Sequence, residues 1–317
     1  MICIQKPIVI FLMGPTTSGK TDFAILLNNY LPINIISVDS GLIYKYMNIG
    51  TAKPSVEQLK MVPHYLVNIV DPVEIYSIFR FKKDVLQAIK DSINSHRIPV
   101  LVGGTMLYYH VLLHGWHPTP PKNIYFQNKM LSCIHKPEKL KYLYTYLKKI
   151  DPLSAKLIHK NDSRRIIRAL NIYFSTGLTT SFFKKQDGVR FPYKVIQFSM
   201  VVSNRFIAHE RIKTRFFHML ELGFQKEVEE LFNRGDLNAN LPSIRCVGYR
   251  QMWSYLNNEI SYQDMQKKSI YATCQLYKKQ ITWLKKWKNI YFLNIENKQL
   301  SLDMMLIILK KNMNLNL

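Results

Sequence analysis

The sequence predicts an α/β fold: a parallel sheet covered by helices, an inserted helical segment, and a helix-rich C-terminal part. Three observations carry this. Short apolar runs at Pro7–Met13, Asn34–Val38 and Ile98–Val102 alternate with helical patterns. Strands buried on both faces read as unbroken apolar runs rather than as alternating ones. The first run leads directly into a glycine-containing loop and then a helix. The alternation stops near Trp116 and resumes with a further β-branched run at Val195–Val202.

The elements follow in order. The opening strand ends at Met13, the loop spans Gly14–Lys20, and a helix is expected over about Thr21–Tyr30. Asn34–Val38 ends in the polar turn Asp39-Ser40-Gly41. Tyr65–Val70 is a candidate fourth strand, and a helix is expected over about Ser77–His96. Ile98–Val102 runs into Gly103-Gly104. His117-Pro118-Thr119-Pro120-Pro121 is a cluster of chain breakers and marks a hinge. The lysine-rich stretch to about Tyr193 is helical in character. After Val195–Val202, helices are expected at about Asn204–Leu222, Gln225–Asn233, Tyr249–Leu256 and Tyr262–Lys286. The expected organisation is therefore 1–118 as the first part of the core, 119–194 as the inserted helical domain, and 195–317 as the second part of the core with C-terminal helices.

Composition bounds the function. The chain has 317 residues, 47% of them apolar, which supports a sizeable core and excludes wholesale disorder. Lys and Arg number 44 against 21 Asp and Glu, a formal net charge of +23. Such an excess self-repels and points to a polyanionic partner, set against compositional drift toward Lys, Asn and Ile. Cys3, Cys133, Cys246 and Cys274 form no CxxC pair and suit neither a disulfide framework nor a zinc ribbon, so a cytoplasmic location is expected. The histidines show no metal spacing. The run Ile8–Met13 is too short for a signal-peptide core. No run reaches the ~18 apolar residues of a membrane span, so no membrane partner is expected. The expected form is a monomer.

Gly14-Pro15-Thr16-Thr17-Ser18-Gly19-Lys20-Thr21 matches GxxxxGK[ST], with a strand before it and a helix after it. The glycines let backbone N–H groups converge on phosphate oxygens at a helix N-terminus. Lys20 supplies charge, and the Thr21 hydroxyl suits Mg²⁺. The fold class narrows to a P-loop NTPase-like core. One usual part is missing, however: the strand Ile98–Val102 ends in Gly103-Gly104-Thr105, without the carboxylate that holds Mg²⁺ in nucleotide enzymes. The carboxylate that follows a strand is Asp39. Loops after parallel strands gather on the ligand side, so Asp39 is expected to face the same crevice as Lys20.

Other constellations carry two readings each. Asp39 either lines the site or caps a turn. Gly103-Gly104-Thr105 is either a polar-ligand site or an ordinary N-cap. Arg164, Arg165 and Arg168, at spacings of three and four, share a helix face, as do Arg211 and Arg215. Guanidinium groups suit phosphates, though an isolated pair is commonly a solvated face. Arg245 and Arg250 flank a turn before a helix. The segment Lys278–Lys288 interleaves bases and aromatics, as a nucleic-acid stripe or as an amphipathic helix with Ile281 and Leu284 inward.

Taken together these segments resemble one family, the bacterial tRNA dimethylallyltransferases, also called tRNA isopentenyl transferases. GPTTSGKT, ISVDSGLIYKYMNIGTAKP, PHYLVNIVDPVEIYS, VGGTMLYYHVLLHG, HKNDSRRIIRALNIY, RIKTRFFHMLELGF, IRCVGYRQMWSYL and ATCQLYKKQITWLKKW occur in the family's order and spacing. The resemblance implies transfer of a dimethylallyl group from dimethylallyl pyrophosphate to N6 of adenosine-37, just 3′ of the anticodon, in tRNAs reading codons that start with U. It implies Mg²⁺, a tRNA anticodon stem-loop as partner, and an inserted domain that grips that stem. It also implies roles. Asp39 falls at the general base, Thr105 at a channel residue near the reacting centre, and Arg215 at the arginine reaching the leaving pyrophosphate. Gly14, Pro15, Thr16, Thr17, Ser18, Gly19, Lys20 and Thr21 form the pyrophosphate loop. The tRNA-contacting positions are Asp39, Ser40, Gly41, Leu42, Thr105 and Gln127; Arg164, Arg165, Ile166, Ile167 and Arg168; Arg245, Cys246, Val247, Gly248, Tyr249 and Arg250; and Lys278, Lys279, Gln280, Ile281, Thr282, Trp283, Leu284 and Lys285.

The chain departs from the pattern at Leu42, where many members have Gln. It also departs at Cys274, Lys279 and Gln127, where Arg is common; Lys lacks the bidentate grip of Arg. These changes bear on RNA affinity rather than on the chemistry. Two rival readings remain at this point. A P-loop kinase of a small metabolite would consume ATP, and a non-catalytic RNA-binding protein would bind tightly, salt-sensitively and without turnover.

Overall fold

The computed structural model describes residues 6–115, 123, 125–126, 130, 137–185, 191–202 and 204–313. The chain divides into two compact units, one of Met1–Val111 with Pro192–Leu317 and one of Leu112–Phe191. The sequence reading drew these edges at 118/119 and 194/195. The breaker cluster 117–121 on which the first edge rested lies outside the described residues.

The larger unit is built on a parallel sheet of β1 (Ile8–Met13), β2 (Ile33–Ser37), β3 (His64–Tyr65), β4 (Ile98–Gly103), β5 (Lys194–Val201) and β6 (Tyr291–Asn294), in the order β3-β2-β4-β1-β5-β6. The sequence IVIFLM of β1 is apolar throughout because both faces are covered. On one face Ile10, Leu12, Ile35, Val100 and Phe198 pack in a core with α1 (Lys20–Leu27) and residues of four later segments. On the other, α3 (Ile78–Asn94) and α4 (Met106–His114) close the sheet. There Asn34 donates to Ser92 at 3.1 Å, and the Tyr109 hydroxyl donates to Leu101 O at 2.9 Å. Between β2 and β3 lies the short α2 (Val56–Met61), held by a Ser55–Gln58 capping box.

The register decides where the site falls. Met13 pairs with Gly103 and Ser199, and Ser37 pairs with Val102. The C-terminal ends of β1, β2 and β4 are therefore level, and the loops after them emerge side by side.

The smaller unit contains α5 (Pro137–Ile150), α6 (Pro152–Leu157), α7 (Ser163–Thr176) and α8 (Thr180–Lys185), with no strand among its described residues. Leu143, Leu147, Ile158, Ile166 and Leu170 form its own core. Asp151 caps α6 and accepts from Ser154 and Ser181 N–H, both at 3.0 Å, which ties α6 to α8.

The rest of the larger unit is helical: α9 (Arg205–Glu221), α10 (Phe224–Phe232), α11 (Tyr249–Leu256), α12 (Tyr262–Lys285) and α13 (Lys298–Met313). Three elements depart from expectation. The strand expected over Tyr65–Val70 shrinks to two residues, because Leu66 and Asn68 adopt φ of 62° and 58°, which no strand tolerates. Only a single bridge, Val70 to Tyr44, resumes it. Conversely β6 and α13 were not expected. In β6 only Leu293 is buried, and a four-residue edge strand is too short to show a strand period in the sequence. Among the described residues no helix is long and apolar enough to cross a membrane.

The levelling of β2 and β4 depends on Gly103. A Cβ there would overlap the backbone carbonyl of Val38, which cannot move aside as a side chain can. Gly103→Ala is expected to destabilise the protein by about 1–3 kcal/mol, read as a lowered urea midpoint.

Candidate active site

The loop between β1 and α1 is braced from within and from outside. Ser18 Oγ donates to Pro15 O at 2.8 Å, and Lys20 Nζ donates to Pro15 O at 2.6 Å and to Ser18 Oγ at 3.1 Å. Thr17 has φ of 64°, and its buried hydroxyl has no hydrogen-bond partner. From α12, Gln280 reaches across: its Oε1 accepts from Thr16 N–H at 2.9 Å and its Nε2 donates to Gly104 O at 2.9 Å. One buried amide thus fixes the loops after β1 and β4 to each other.

The loop after β2 joins them. Thr105 Oγ1 accepts from Ser40 N–H at 3.2 Å, and Thr105 N–H donates to Val38 O at 3.2 Å. Asp39 Oδ1 accepts from Gly41 N–H at 2.8 Å and Leu42 N–H at 3.4 Å, so one carboxylate oxygen shapes the turn. Its Oδ2 is not held by a backbone donor among the described residues. The two readings of Asp39 are therefore compatible: it caps a turn and lines the crevice.

The three loops open on a cavity of about 1250 Å³, lined entirely by the larger unit. Its charged wall comprises Lys20, Lys53, Arg215, Arg245 and Lys279 against Asp22 and Asp39. Burial pushes Lys20 down to about 7; the charge of Asp39 opposes the shift, and that of Arg215 adds to it. Burial likewise lowers Arg215, again opposed by Asp39. Burial, reinforced by Asp39, pushes the Cys246 thiol up to about 12, so it stays protonated at neutral pH. Lys20 and Arg215 are thus two desolvated cations sharing one carboxylate, an arrangement that favours an incoming anion.

The family model described as IPP transferase matches residues 42–287. The chain belongs to the IPP transferase family. It is 54% identical over 286 residues to the tRNA dimethylallyltransferase of Buchnera aphidicola subsp. Acyrthosiphon pisum (strain APS), covering 90% of each. Its fold is similar to that of the full-length tRNA isopentenylpyrophosphate transferase of Bacillus halodurans, with a TM-score of 0.71 at 27% identity, covering 98% of this chain and 99% of that one. It is also similar to a eukaryotic dimethylallyltransferase acting on tRNA, with a TM-score of 0.77 at 26% identity, covering 91% of this chain and 74% of that one.

In this member of the IPP transferase family the residues singled out in the sequence divide as follows. Thr16, Thr17, Gly19, Lys20 and Thr21 line the cavity, whereas Gly14, Pro15 and Ser18 frame the loop behind it. Asp39, Ser40, Gly41, Leu42, Thr105 and Arg215 also line it. On α12, Lys278, Lys279, Thr282, Trp283 and Lys285 are exposed, while Leu284 is buried and Ile281 packs on the core. The stripe is therefore amphipathic, with its basic residues on the exposed face and Ile281 and Leu284 turned to the core. Gln280 was grouped with the RNA-facing residues; it is instead buried as the brace between two loops. Tyr249 is fully buried and donates its hydroxyl to Glu227 at 2.6 Å. Arg245 and Arg250 are exposed and line a second cavity of about 500 Å³ together with Lys268, Tyr271 and Lys279. Lys268 and Tyr271 were not anticipated, because nothing in the sequence separates them from many other exposed lysines and tyrosines. Arg164, Arg165 and Arg168 lie on α7 in the smaller unit; the first two are exposed, while Ile166 and Ile167 belong to buried positions. Gln127 lies outside the described residues.

The Lys20 shift has a measurable sign. Its folded value, about 7, lies below its ordinary 10.5, so between these pH values the unfolded chain binds more protons. The group's stability penalty is full below pH 7 and is relieved as pH rises from 7 to 10.5. NMR of selectively ¹³C-labelled lysine is expected to show one side chain, absent in Lys20→Ala, titrating near pH 7 in the ligand-free protein.

Proposed function

We propose that this chain transfers a dimethylallyl group from dimethylallyl pyrophosphate to N6 of the adenosine just 3′ of the tRNA anticodon, releasing pyrophosphate. The observation that carries the reading is the pair of desolvated cations, Lys20 and Arg215, beside Asp39 in one cavity. At about 1250 Å³ the cavity exceeds the ~300–1,000 Å³ usual for a single small ligand. It has room for a prenyl pyrophosphate and an extruded base together.

The exocyclic amine is a weak nucleophile, and a carboxylate is too weak a base to deprotonate it in advance. As the nitrogen–carbon bond forms the amine becomes acidic, and Asp39 takes the proton on its unengaged oxygen. The allylic carbon–oxygen bond breaks as the new bond forms, and its electron pair leaves with pyrophosphate. Lys20, Arg215 and the N–H groups opening α1 meet that growing charge, so they bind the transition state more tightly than the ground state. The apolar wall near the reacting carbon keeps water from capturing it.

Magnesium fits the donor set. Among the described residues no cluster of three His, Cys, Asp or Glu could hold a metal. Thr21 lies on the cavity wall and offers a neutral oxygen. That suits an ion bound chiefly by phosphate oxygens and water, with Thr21 as its protein ligand. When bound, Mg²⁺ would neutralise charge on the departing pyrophosphate.

The base must leave its stack to enter the cavity, at a cost of about a few kcal/mol that a single-stranded loop reduces. Arg245, Arg250, Lys268 and Lys279, with Tyr271 among them, supply phosphate contacts and a stacking surface beside the cavity. The exposed Arg164 and Arg165 on α7 are assigned to the anticodon stem. A cavity complete within one chain is compatible with a monomer, and a tRNA substrate is met in the cytoplasm.

The test is transfer itself: protein, Mg²⁺, labelled dimethylallyl pyrophosphate and unmodified tRNA with an A-A-A run in the anticodon loop, with and without ATP. Label on the adenosine 3′ of the anticodon, independent of ATP, is expected; ATP consumption without label would replace this reading with a kinase. Asp39→Asn is expected to lower kcat by about 10²–10⁴-fold while tRNA binding stays nearly constant. Lys268→Ala is expected to weaken tRNA binding and reduce the slope of log K against log salt by about one phosphate contact, measured by filter binding across a salt series.

A further inference from the structure

Glu227 is a buried carboxylate outside the cavity lining, and three of its four hydrogen bonds among the described residues come from one loop. Its Oε2 accepts from Asn48 N–H and Ile49 N–H, both at 2.7 Å, and its Oε1 accepts from Gly50 N–H at 3.1 Å and from the Tyr249 hydroxyl at 2.6 Å. Three successive backbone donors make a concave anion site, here filled by the protein's own side chain. Glu227 stands in the first turn of α10, where the positive end of the helix favours a carboxylate.

The captured loop is otherwise held by its own bonds. Thr51 Oγ1 donates to Met47 O at 2.8 Å, Ala52 N–H to Ile49 O at 2.9 Å, and Lys53 N–H to Asn48 O at 2.9 Å. A Cβ at Gly50 would overlap the rings of Phe224 and Tyr249, so the loop lies directly on α10 and α11. Lys53 pins its far end, donating to Tyr44 O, Asn48 Oδ1 and Asn68 Oδ1. The loop then presents Thr51 O to Arg215 Nη2 at 3.4 Å. Among the described residues this carbonyl is the one hydrogen-bond acceptor Arg215 has.

We propose that Glu227 is a positioning residue for the anion end of the site: by clamping residues 48–50 it fixes Thr51 O, and through it the guanidinium of Arg215. The role deepens the prenyl-transfer reading and rests on it. Glu227 touches no substrate. Its carboxylate is needed because a neutral amide would turn an N–H₂ group toward backbone donors, leaving at least one of them unpaired in a buried place.

The test is a double-mutant cycle of Glu227→Gln and Arg215→Ala on prenyl transfer. Glu227→Gln is expected to lower kcat by about ten- to a hundredfold, with KM for tRNA within about twofold. The double variant is expected to be no slower than Arg215→Ala alone, because Glu227 acts through Arg215. Hydrogen exchange at amides 48–50 is expected to accelerate in Glu227→Gln. Multiplying losses in the cycle, or a folded Glu227→Gln enzyme with unchanged kcat, would overturn the proposal. If Glu227→Gln does not fold, Tyr249→Phe, which removes one of the four bonds, takes its place in the same cycle with the same outcomes. If the wild-type protein transfers no prenyl group, the functional reading fails, yet positioning is still read from inorganic pyrophosphate binding. Glu227→Gln should weaken that binding when Arg215 is present and leave it unchanged in the Arg215→Ala background; equal weakening in both would sink it.

Discussion

Holding Lys20 and Arg215 half-buried beside one carboxylate is the constraint on which the rest of the larger unit depends. Desolvated cations repel each other and favour losing a proton or gaining an anion. They stay where they are because rigid neighbours fix them. Lys20 is bonded to the carbonyl of Pro15 within its own loop, and Arg215 rides on a 17-residue helix. The unfavourable electrostatics of the site are set up in advance, so an arriving anion meets groups that need no rearrangement.

That preorganisation rests on a small number of buried polar braces. Gln280 joins the loops after β1 and β4, Thr105 joins the loops after β4 and β2, and Glu227 holds the loop that contacts Arg215. Gln280 and Glu227 satisfy backbone groups away from bulk water, while the Thr105 bond to Ser40 lies at the surface, and each ties a loop in place. The parallel sheet makes such economy possible. Level strand ends bring three loops distant in sequence to one edge, where single side chains can span them.

The basic character of the chain divides between two tasks. Inside the first cavity Lys20 and Arg215 lie half-buried beside Asp39. Arg245 and Lys279 line both cavities and, like Arg250 and Lys268 on the second, are exposed, so a phosphate contact there carries little desolvation cost.

Much of this was legible in the sequence. The phosphate loop, the apolar strands around it and Asp39 after β2 are local patterns, since a parallel strand, its following loop and the next helix are contiguous in the chain. The faces of α12 were legible as two alternatives but not as a choice, because the spacing of Ile281 and Leu284 against Lys278 and Lys285 fits either. What lay beyond the sequence is long-range. Gln280 contacts Thr16 across 264 residues, and Glu227 contacts Asn48 across 179. A lone Gln on a basic helix and a Glu on an acidic one look like surface residues in any window of sequence. Likewise the two-residue β3 looked like a longer strand, since only the folded loop puts Leu66 and Asn68 at positive φ. The sequence by itself determined the kind of sheet, the place of the glycine loop at its edge and the family. Only the tertiary structure decided which polar side chains are buried braces and which face solvent, because burial is a property of what packs against a residue and not of the residue's neighbours in the chain.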